Sequence, residues 1–439
     1  MTGTVLSAGW AALILFGLFF LLMILRVPVA FALGLVCVPI LLIEPRLSLM
    51  SMAQETFNAY NSFILLAVPF FLLTANLMNS GGITDRLMAL SRTMVGHWPG
   101  GLAQINVVLS VFFAGISGSS TADAASQSKI FIEAQRKEGY DDSFSVAITA
   151  VSAVLAVIIP PSILMIVWGG ILTTSIGALF LAGIVPGLLI AVAQMATVHV
   201  YAVQRGYPTY PKASWRELVC AAAKSFLALL TPGIIIGGKV FGWFTATESA
   251  AIAVLYALVL SLIVYREMDL KGLYCALLDT GKLAGVALFC VGTASMFGWL
   301  LAYYQIPQAI LSGVLSWNLG FYGVGFFIAF VFLVIGCFLD AIPAIIICAP
   351  ILAPLTKTVS MDPVHFAMIG IVSLAFGLVT PPYGLCLMVA SSVAGMRVRD
   401  AIKDTMIMLV PMLLVLALVI VAPMVSLWLP GLISPEFLR

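Results

Sequence analysis

The sequence predicts an all-α polytopic membrane protein made of two inverted repeats, each with about five transmembrane helices, one re-entrant hairpin and one helix broken by a Pro-Pro pair. Of the 439 residues 62% are hydrophobic and only 9% are charged, whereas a soluble domain carries about 25% charged residues. Short polar segments interrupt several apolar runs, and several motifs recur at one constant offset. The apolar runs do not alternate with polar residues, which excludes a transmembrane barrel.

Composition also limits the partners of the chain. The net charge is +2, and there is no basic tail or soluble domain, so the lipid bilayer is the predicted environment and nucleic acid is not a predicted partner. None of the seven cysteines forms a C-x-x-C motif. Nearly all lie in apolar stretches, where cysteine usually packs as a small hydrophobic residue.

The first hairpin is predicted from a polar nonapeptide, residues 115–123 (GISGSSTAD), which we call tip 1. The apolar arms on either side have about 15 residues or fewer, so each reaches only about 20 Å as a helix, and a bilayer core is about 30 Å thick. Neither arm can cross alone. Polar backbone at membrane depth is tolerated only where it faces protein or a water-filled cavity, so tip 1 is a candidate binding site.

The other elements of the first half follow from hydropathy and from helix breakers. We predict spans at residues 6–25, 28–43 and 57–78, with a polar stretch at 44–56, and an amphipathic interfacial helix at 84–96. The hairpin covers about residues 100–133. Two adjacent prolines remove two amide donors at residues 160 and 161, so residues 143–172 form a broken helix around break 1, residues 159–162. A further span covers residues 176–203, before a polar connector at 204–216.

The second half repeats this plan. Pro160 recurs as Pro381 (381 − 160 = 221), and Gly115 and Asp141 recur as Gly336 and Asp362 at the same offset. This predicts a second hairpin over about residues 321–357 with tip 2 at 336–343, and a second broken helix over 363–396 with break 2 at 380–384. An interfacial segment at 305–318 and a last span at 402–428 complete the plan. The two repeats are then residues 1–215 and 216–439.

An odd number of crossings in each half would give the two halves opposite orientations. Following this path, one side collects about 16 of the 20 Lys and Arg residues, which makes it cytoplasmic by the positive-inside rule. Both termini are therefore predicted outside. The first hairpin then enters from the cytoplasm and the second from the opposite face.

Inverted repeats with discontinuous helices are typical of secondary transporters. A helix that ends at the midplane leaves carbonyl groups for a cation, and one that starts there presents amides to an anion. Two cation sites and one shared anion site are therefore natural. The candidate oxygen ligands are Ser117, Ser119, Ser120, Thr121, Asp123, Asp340 and Thr380. No Lys or Arg lies in either tip or break, so an anionic substrate would need helix N-termini, hydroxyls and bound cations, which favours obligatory ion coupling.

Structural interpretations remain open for several of these residues. The small residues of tip 1 could serve close packing, and Asp123 could cap the outgoing helix. An intramembrane acid such as Asp340 is expensive and usually functional. For Glu248, at the start of a span, capping is as probable as function, and the three histidines are expected to be structural.

The motifs GISGSSTAD (115–123), Gly139-Tyr140, IPPS (159–162), Phe338-Leu339-Asp340 and TPPYG (380–384) resemble, in this order, the large membrane subunit of tripartite ATP-independent periplasmic (TRAP) transporters. The resemblance covers almost the whole chain. It implies an elevator mechanism and Na⁺-coupled uptake of an organic acid across the bacterial inner membrane, with both termini periplasmic and no enzymatic activity. It also implies a separate small four-helix membrane subunit and a periplasmic substrate-binding protein as partners.

The resemblance also assigns site residues by position. The expected Na⁺ ligands are Ser117, Ser119, Ser120, Pro160, Gly336, Asp340, Thr380 and Pro381. The expected substrate contacts are Gly118, Thr121, Asp123, Pro161, Ser162, Pro382, Tyr383 and Gly384. Thr121 and Tyr383 depart from the family pattern, which commonly has alanine and a small aliphatic residue there.

Two other functions fit parts of the sequence. A self-sufficient Na⁺/dicarboxylate symporter would usually carry Ser-Asn-Thr at both tips, and neither tip does. An intramembrane serine protease would explain the G-x-S-G sequence at residues 115–118, with His199 as the only histidine plausibly within a span to act as the base.

Overall fold

The computed structural model describes residues 6–25, 27–315, 317–381 and 383–438, and it is helical throughout. No β-strand occurs in these ranges. Pro382, an expected substrate contact, lies outside the described residues.

Among the described residues, the first half of the chain forms ten α-helices. They are α1 (Ala8–Ile24), α2 (Val29–Ile43), α3 (Leu49–Tyr60), α4 (Ala67–Ser80), α5 (Ile83–Val95), α6 (Gly101–Ser117), α7 (Ser120–Lys137), α8 (Asp142–Ala153), α9 (Ile163–Leu172) and α10 (Ile176–Arg205). Single 3₁₀ turns at Phe63–Leu66 and Val154–Val157 precede α4 and extend α8.

The second half contains ten more. They are α11 (Trp215–Val240), α12 (Ala246–Leu258), α13 (Leu270–Tyr303), α14 (Ile306–Leu315), α15 (Phe321–Gly336), α16 (Ala341–Thr358), α17 (Pro363–Gly377), α18 (Leu385–Ala394), α19 (Val398–Val421) and α20 (Met424–Ile433). A π-helical turn at Val259–Val264 extends α12, and a 3₁₀ turn follows α20 at Pro435–Leu438.

Helix starts in the two halves share the predicted offset. Leu49 and Leu270 begin α3 and α13 (270 − 49 = 221), and Ser120 and Ala341 begin α7 and α16 (341 − 120 = 221). Asp142 and Pro363, the first residues of α8 and α17, have the same separation. The sequence repeat is therefore a repeat of helices.

Seven helical segments in the described ranges are long and apolar enough to cross a bilayer. They are Phe63–Ser80, Ile176–Arg205, Trp215–Val240, Ala246–Val264, Leu270–Tyr303, Ala341–Thr358 and Val398–Val421. The halves of both broken helices are shorter, as predicted from their breaks. The second arm of hairpin 2 reaches spanning length, so length alone does not separate hairpin arms from spans.

Three predicted boundaries are wrong. Residues 44–56 were expected as a polar stretch, but α3 starts inside it because the Ser48 hydroxyl caps the helix at the amide of Ser51 (3.1 Å). The third span consequently starts at Phe63 rather than residue 57. The last span ends at Val421, and α20 follows, because Pro423 interrupts the helix.

Tip 1 is also shorter than the nonapeptide suggests. Helix α6 continues through Ser117 and α7 resumes at Ser120, so only Gly118 and Ser119 are non-helical. The arm helices have 17 and 18 residues, more than predicted. The last turns of α7 are polar, so hydropathy does not show that the helix continues there.

The helices divide into two groups by their contacts. We call α1–α5 with α11–α14 the frame group, and α6–α10 with α15–α20 the hairpin group. Within each group the contacts are reciprocal between the repeats: α7 packs on α18 as α16 packs on α9, and α2 packs on α13 as α12 packs on α4. The contacts within each group are therefore repeated between the two halves of the chain.

Contacts between the groups do not follow this reciprocity. Helix α6 of hairpin 1 packs on α4, α5 and α11, whereas in hairpin 2 the other arm, α16, packs on α13 and α14. The equivalent pairs, such as α15 with α13 or α7 with α4, are not among the main helix contacts in the described part of the chain. The hairpin group is therefore docked asymmetrically on the frame group.

A charged network joins the two repeats at one end of the hairpin group. The Arg205 guanidinium, at the end of α10, donates to Asp141 (2.7 Å) and to Asp404 of α19 (2.8 Å). Asp404 is nearly buried, and it also accepts hydrogen bonds from Ser143 (2.6 Å) and Tyr201 (3.2 Å). A buried charge that is paired and fully hydrogen-bonded holds its neighbours in one arrangement.

Replacing Arg205 by alanine should destabilise the protein, because it removes the only cation that the structure pairs with Asp404 among the described residues. A hydrogen bond to a charged group contributes about 2 kcal/mol, so the unfolding temperature in detergent should fall by several degrees. Arg216→Ala is the control, since Arg216 is exposed on α11. Equal unfolding temperatures for the two variants would contradict a stabilising role for the network.

Candidate functional site

Tip 1 is a tight turn closed by its own hydroxyl groups. Gly118 adopts a left-handed conformation (φ 65°), which glycine reaches without a side-chain penalty. The Ser117 hydroxyl accepts from the Ser119 amide (3.2 Å), and Ser119 caps α7 at the amide of Ala122 (3.5 Å). The Thr121 hydroxyl lies 3.4 Å from that of Ser119. The predicted oxygen ligands of tip 1 therefore share one turn.

Tip 1 docks on break 1 through the backbone. The Ile163 amide, the first of α9, donates to the Gly118 carbonyl (3.3 Å). A Cβ at Gly118 would lie 2.8 Å from the Pro161 carbonyl oxygen, so only glycine allows this approach. Ser162 caps α9 at Met165 and donates to the Val157 carbonyl (2.7 Å), which satisfies part of the backbone that the two prolines free.

Asp123 lies one turn into α7 and is 1% exposed. Its expected alternative role as the helix cap is wrong, because Ser119 is the N-cap residue. The carboxyl group lies beside Ser117, and its Oδ2 atom has no hydrogen-bond partner among the described residues. A buried carboxylate oxygen is costly unless a donor or cation compensates it, so this atom marks a position suited to a cation.

Tip 2 also docks on its break through one backbone hydrogen bond, but with a different acceptor position. The Gly384 amide, at the start of α18, donates to the Cys337 carbonyl (3.3 Å). The donors Ile163 and Gly384 are one offset apart (384 − 163 = 221), whereas the acceptors Gly118 and Cys337 are not (337 − 118 = 219). Asp340 caps α16 by accepting from the Ala341 amide (2.8 Å), and the Thr380 hydroxyl donates to the Phe376 carbonyl (2.7 Å).

Hairpin 2 also touches its break through two glycines. A Cβ at Gly377 would lie 2.6 Å from the Gly336 Cα atom and 2.8 Å from the Leu333 carbonyl oxygen. Both neighbours are backbone atoms and cannot move aside independently. Gly336 was predicted as an ion ligand. The structure shows that it also allows close packing against Gly377.

The two tips converge on α18. Cys386 is fully buried, its thiol is within hydrogen-bonding range of Ser120, and it lies within electrostatic range of both Asp123 and Asp340. Residues of both hairpins, 217 positions apart (340 − 123 = 217), therefore lie within electrostatic range of one side chain of α18. Sequence reasoning missed Cys386 and Gly377, since their type carries no chemical signal and only the fold places them at the tips.

The predicted site residues of break 2 are more exposed than those of break 1. Tyr383 is 53% exposed, and its ring lies 5.8 Å from the exposed ring of Phe338 in tip 2. Pro381 is partly exposed, as is Thr380. Pro160 and Pro161 are buried in break 1. The two repeats thus contribute unequal surfaces: a polar tip in the first and an aromatic pair in the second.

A cavity of about 550 Å³ lies between the frame and hairpin groups. Polar side chains from α3 and from neighbouring segments of the frame line one wall, including Glu55, Asn58 and Ser295, and α9 and α16 form the other. None of the predicted site residues that the structure describes lines this cavity. The cavity is of ligand size, and the α3 residues were missed because that stretch was assigned to a connector.

Two other sequence candidates have structural roles. Glu248 completes a capping box, in which its carboxylate accepts from the Thr245 amide (2.7 Å). His365 is buried, with its ring stacked on Phe321 and its Nδ1 atom 3.1 Å from the Ser426 hydroxyl. Capping explains Glu248 without a role in transport.

Comparison with known proteins decides the family. The model of the DctM component of tripartite ATP-independent periplasmic transporters matches residues 16–425. The chain belongs to the DctM family of TRAP transporters. Proteins of this family are multi-pass membrane permeases that work with a small membrane subunit and a periplasmic binding protein. The resemblance stated from the motifs is thereby confirmed.

Relatives in the DctM family carry several substrate names. The chain is 38% identical to the sialic acid TRAP transporter large permease protein SiaM of Vibrio cholerae, over 97% of both chains. It is 39% identical to the C4-dicarboxylate permease DctM of Pseudomonas aeruginosa, over 89% of this chain and 92% of that one. It is 36% identical to the ectoine permease TeaC of Halomonas elongata, over 87% and 90%.

A solved structure shares the fold. The YdaH transporter of Alcanivorax borkumensis superimposes with a TM-score of 0.61 over 84% of this chain and 86% of that chain, at 12% sequence identity. At this identity the likeness shows the fold alone. It confirms that the arrangement of helices is one that a membrane transporter adopts.

Membership of the DctM family removes the protease alternative, because the family consists of permeases and not of enzymes. The structure gives the physical reason. His199 is exposed on α10, whereas the Ser117 hydroxyl is buried and bonded to the backbone of Ser119. A serine nucleophile needs a base within hydrogen-bond reach.

Replacing Gly377 by alanine should separate hairpin 2 from break 2, because the added methyl group meets only backbone atoms of α15. Overpacking of this kind costs about 1–3 kcal/mol. We expect a lower unfolding temperature and reduced transport by the complete complex. Gly281→Ala is the matched control, since a Cβ there meets no atom within 4 Å. Gly377→Ala behaving like this control would show that the glycine contact is not needed.

Proposed function

We propose that this permease performs Na⁺-coupled secondary uptake of an organic acid, with the two tip and break pairs as cation sites. The observation that carries the proposal is the buried Asp123 carboxyl group beside tip 1, which has an oxygen without a protein partner among the described residues. Intramembrane acids are retained mainly where they bind ions or protons. A hard monovalent cation fits a set made of carboxylate, hydroxyl and carbonyl oxygens.

The repeat supports two such sites. In the first, Ser117, Ser119 and Ser120 would ligate Na⁺ with the backbone at Pro160, and Asp123 would balance the charge. In the second, Gly336, Asp340 and Thr380 would do so with the backbone at Pro381. One backbone hydrogen bond holds each tip on its break, at 3.3 Å in both repeats, so each site would be pre-formed by the docking of its tip.

The substrate class is proposed from helix ends. The N-termini of α7, α9, α16 and α18 lie at the tips and breaks, and helix N-termini attract anions. The tips and breaks contain no Lys or Arg, so a bound carboxylate would depend on these amides and on the co-bound cations. Sialic acid, C4-dicarboxylates and ectoine, the compounds in the names of the relatives, all carry a carboxylate. Thr121, Tyr383 and Phe338 would shape the pocket for the rest of the molecule.

Contact symmetry supports inverted repeats and an elevator mechanism. The reciprocal contacts within each group fit a two-fold relation between the repeats. With five crossings in each repeat, residues 1–215 and 216–439, that axis would lie in the membrane plane. The hairpin group docks asymmetrically on the frame group, so the same chain has a second, symmetry-related docking. Movement between the two would expose the tips to opposite sides.

We propose the following assembly. The permease lies in the inner membrane with both termini periplasmic, and a periplasmic binding protein delivers the substrate to it. A small four-helix membrane subunit packs on exposed apolar faces of the frame group, of which α11 is the least buried long helix.

Reconstituted uptake tests the function. We expect substrate accumulation in proteoliposomes only when the permease, the small subunit and the binding protein are all present with an inward Na⁺ gradient. Replacing Na⁺ by K⁺ should abolish it. Uptake by this chain alone would make it a self-sufficient symporter, and uptake without Na⁺ would contradict the coupling.

Replacing Asp123 by asparagine should weaken Na⁺ binding, because the amide keeps the size of the side chain but removes its charge. We expect the Na⁺ concentration for half-maximal uptake to rise about tenfold or more, since loss of one close charge interaction is worth at least ~1.4 kcal/mol at a buried site. Asp279→Asn is the control, because Asp279 is exposed on α13. An unchanged Na⁺ dependence in Asp123→Asn would remove Asp123 from the site.

A pair of cysteines should trap the second docking. A Cβ at Gly298 of α13 would lie 3.9 Å from the Ile346 carbonyl oxygen of α16, and the symmetry-related residues are Leu77 (298 − 221 = 77) and Ala125 (346 − 221 = 125). We expect Leu77→Cys with Ala125→Cys to form a disulfide during turnover and to stop uptake until it is reduced.

The reference pair Gly298→Cys with Ile346→Cys should cross-link in the docking observed here. Peptide mass spectrometry identifies each bond among the native cysteines. Failure of the Leu77 and Ala125 pair to cross-link with any combination of Na⁺ and substrate would contradict the second docking.

A further inference from the structure

Hairpin 1 contains buried polar residues that neither the tip nor the break accounts for. Asp123, Gln127 and Gln135 follow one another on one face of α7 at multiples of four residues, and Ser128 lies beside them. Helix α7 packs on α8 and α18, which contribute the buried Ser145 and Ser391. We call these six residues the α7 polar seam. Each is at most 1% exposed.

The α7 polar seam lacks protein partners for much of its hydrogen-bonding capacity. Seven of its side-chain atoms find no partner among the described residues: Asp123 Oδ2, Gln127 Nε2, Ser128 Oγ, Gln135 Oε1, Gln135 Nε2, Ser145 Oγ and Ser391 Oγ. Buried polar atoms in proteins are almost always satisfied, by protein or by ordered water. A run of such atoms along one helix is therefore a run of water positions.

The seam connects tip 1 with the surface of the protein. At its inner end Asp123 lies beside Ser117. Toward the other end Ser128 forms part of the wall of a cavity of about 500 Å³ between the ends of α7 and α18. Charged side chains surround this cavity, and they offset one another in part: Glu133 pairs with Lys137 (2.7 Å) and Arg136 with Asp142 (2.7 Å).

The second hairpin has no such seam. The residues one offset from Asp123, Gln127 and Ser128 are Ala344, Cys348 and Ala349, and those paired with Ser145 and Ser391 are Phe366 and Gly170. The counterpart of Gln135 is Thr356, which is polar, but its hydroxyl donates to the Ala353 carbonyl (2.8 Å). The helices and their packing are repeated, so the fold does not require unpartnered polar atoms at these positions.

We propose that the α7 polar seam is a water-filled route through which the coupling cation leaves tip 1 for the cytoplasm. The assignment of the cation rests on the function proposed above, whereas the hydration of the route does not. The oxygens of Asp123, Gln135 and the serines replace part of the hydration shell of a cation, as the interior of a bilayer requires. Within the elevator mechanism proposed above, the seam would let the cation leave tip 1 toward the cytoplasm by a path separate from that of the substrate.

Thiol accessibility tests the hydration. Gln127→Cys places a thiol in the seam, and native Cys348 is its matched control, since the two positions are one offset apart (348 − 127 = 221). Inside-out membrane vesicles are treated with a charged, membrane-impermeant methanethiosulfonate, and labelled peptides are measured by mass spectrometry. We expect Gln127→Cys to react at least about tenfold faster than Cys348, because reaction requires access to water. Equal, slow reaction at both positions would overturn the route.

A second measurement uses the wild-type protein, in case the cysteine variant does not fold. Phe131, fully buried, lies on α7 between Gln127 and Gln135, and Phe332, equally buried, lies on α15 of the second hairpin. Hydroxyl radicals made by radiolysis oxidise side chains that touch bound water. Oxidation of Phe131 but not of Phe332 would support the route, and the absence of oxidation at Phe131 would overturn it.

Transport kinetics test whether the cation uses the route. Gln127→Leu should lower the maximal rate of Na⁺-driven uptake severalfold without changing the Na⁺ concentration for half-maximal uptake. Cys348→Leu is the control, because the cavity of about 260 Å³ beside Cys348 leaves room for the larger side chain. A normal maximal rate in Gln127→Leu would overturn the release role. If wild-type uptake needs no Na⁺ while Gln127→Cys is labelled, the Na⁺ coupling fails and the hydrated route stands.

Discussion

The structure depends on how two broken helices satisfy their backbone in an apolar environment. Each Pro-Pro pair removes amide donors and leaves helix carbonyls unpaired, which the bilayer interior does not tolerate without compensation. In both repeats the solution is the same. A hairpin tip is held against the break by one backbone hydrogen bond, Ile163 to Gly118 in the first and Gly384 to Cys337 in the second. Because each tip docks on a break, the helix ends of both elements lie together at one place in each repeat.

The same constraint links folding to transport. In the proposed elevator mechanism the tips, the breaks, α10 and α19 would move as one body, because each tip is hydrogen-bonded to its break and the network of Arg205 and Asp404 links the two repeats. The contacts of this body with the frame group are the ones that do not obey the internal symmetry. Such a body would change the side to which its proposed ion sites open without rearranging them.

The sequence predicted the features that depend on local chemistry. Gly, Ser and Pro interrupt apolar runs strongly, so the turns at both tips and the interruptions at both breaks were located, and the observed starts of α7 and α16 are one 221-residue offset apart. The boundaries of helices were predicted less well where a polar segment nevertheless forms a helix. The segment that became α3 is polar enough to read as a connector, yet Ser48 caps it and it forms a helix. The charged end of α7 similarly extended the first hairpin beyond its predicted limit.

Features that depend on distant parts of the chain could not be predicted. Cys386 lies between the tips only because α18 of the second repeat packs on α7 of the first. The close contact of Gly336 with Gly377 and the partner of Glu248 required coordinates as well. Asp123 was recognised from its residue type, but the sequence could not show whether it caps α7. The structure decides this point, because Ser119 occupies the N-cap position and Asp123 has a buried oxygen without a partner among the described residues.

Direct binding of the cation is the most immediate test of the account, because it needs no substrate or partner. The unfolding temperature of the purified permease should be measured against increasing NaCl, with choline chloride keeping the ionic strength constant and KCl as the competing cation. A ligand that binds only the folded protein raises this temperature in a concentration-dependent manner. The account predicts a saturable rise with Na⁺ and none with K⁺. Identical unfolding temperatures in all three salts would contradict a Na⁺ site at the docked tips and breaks.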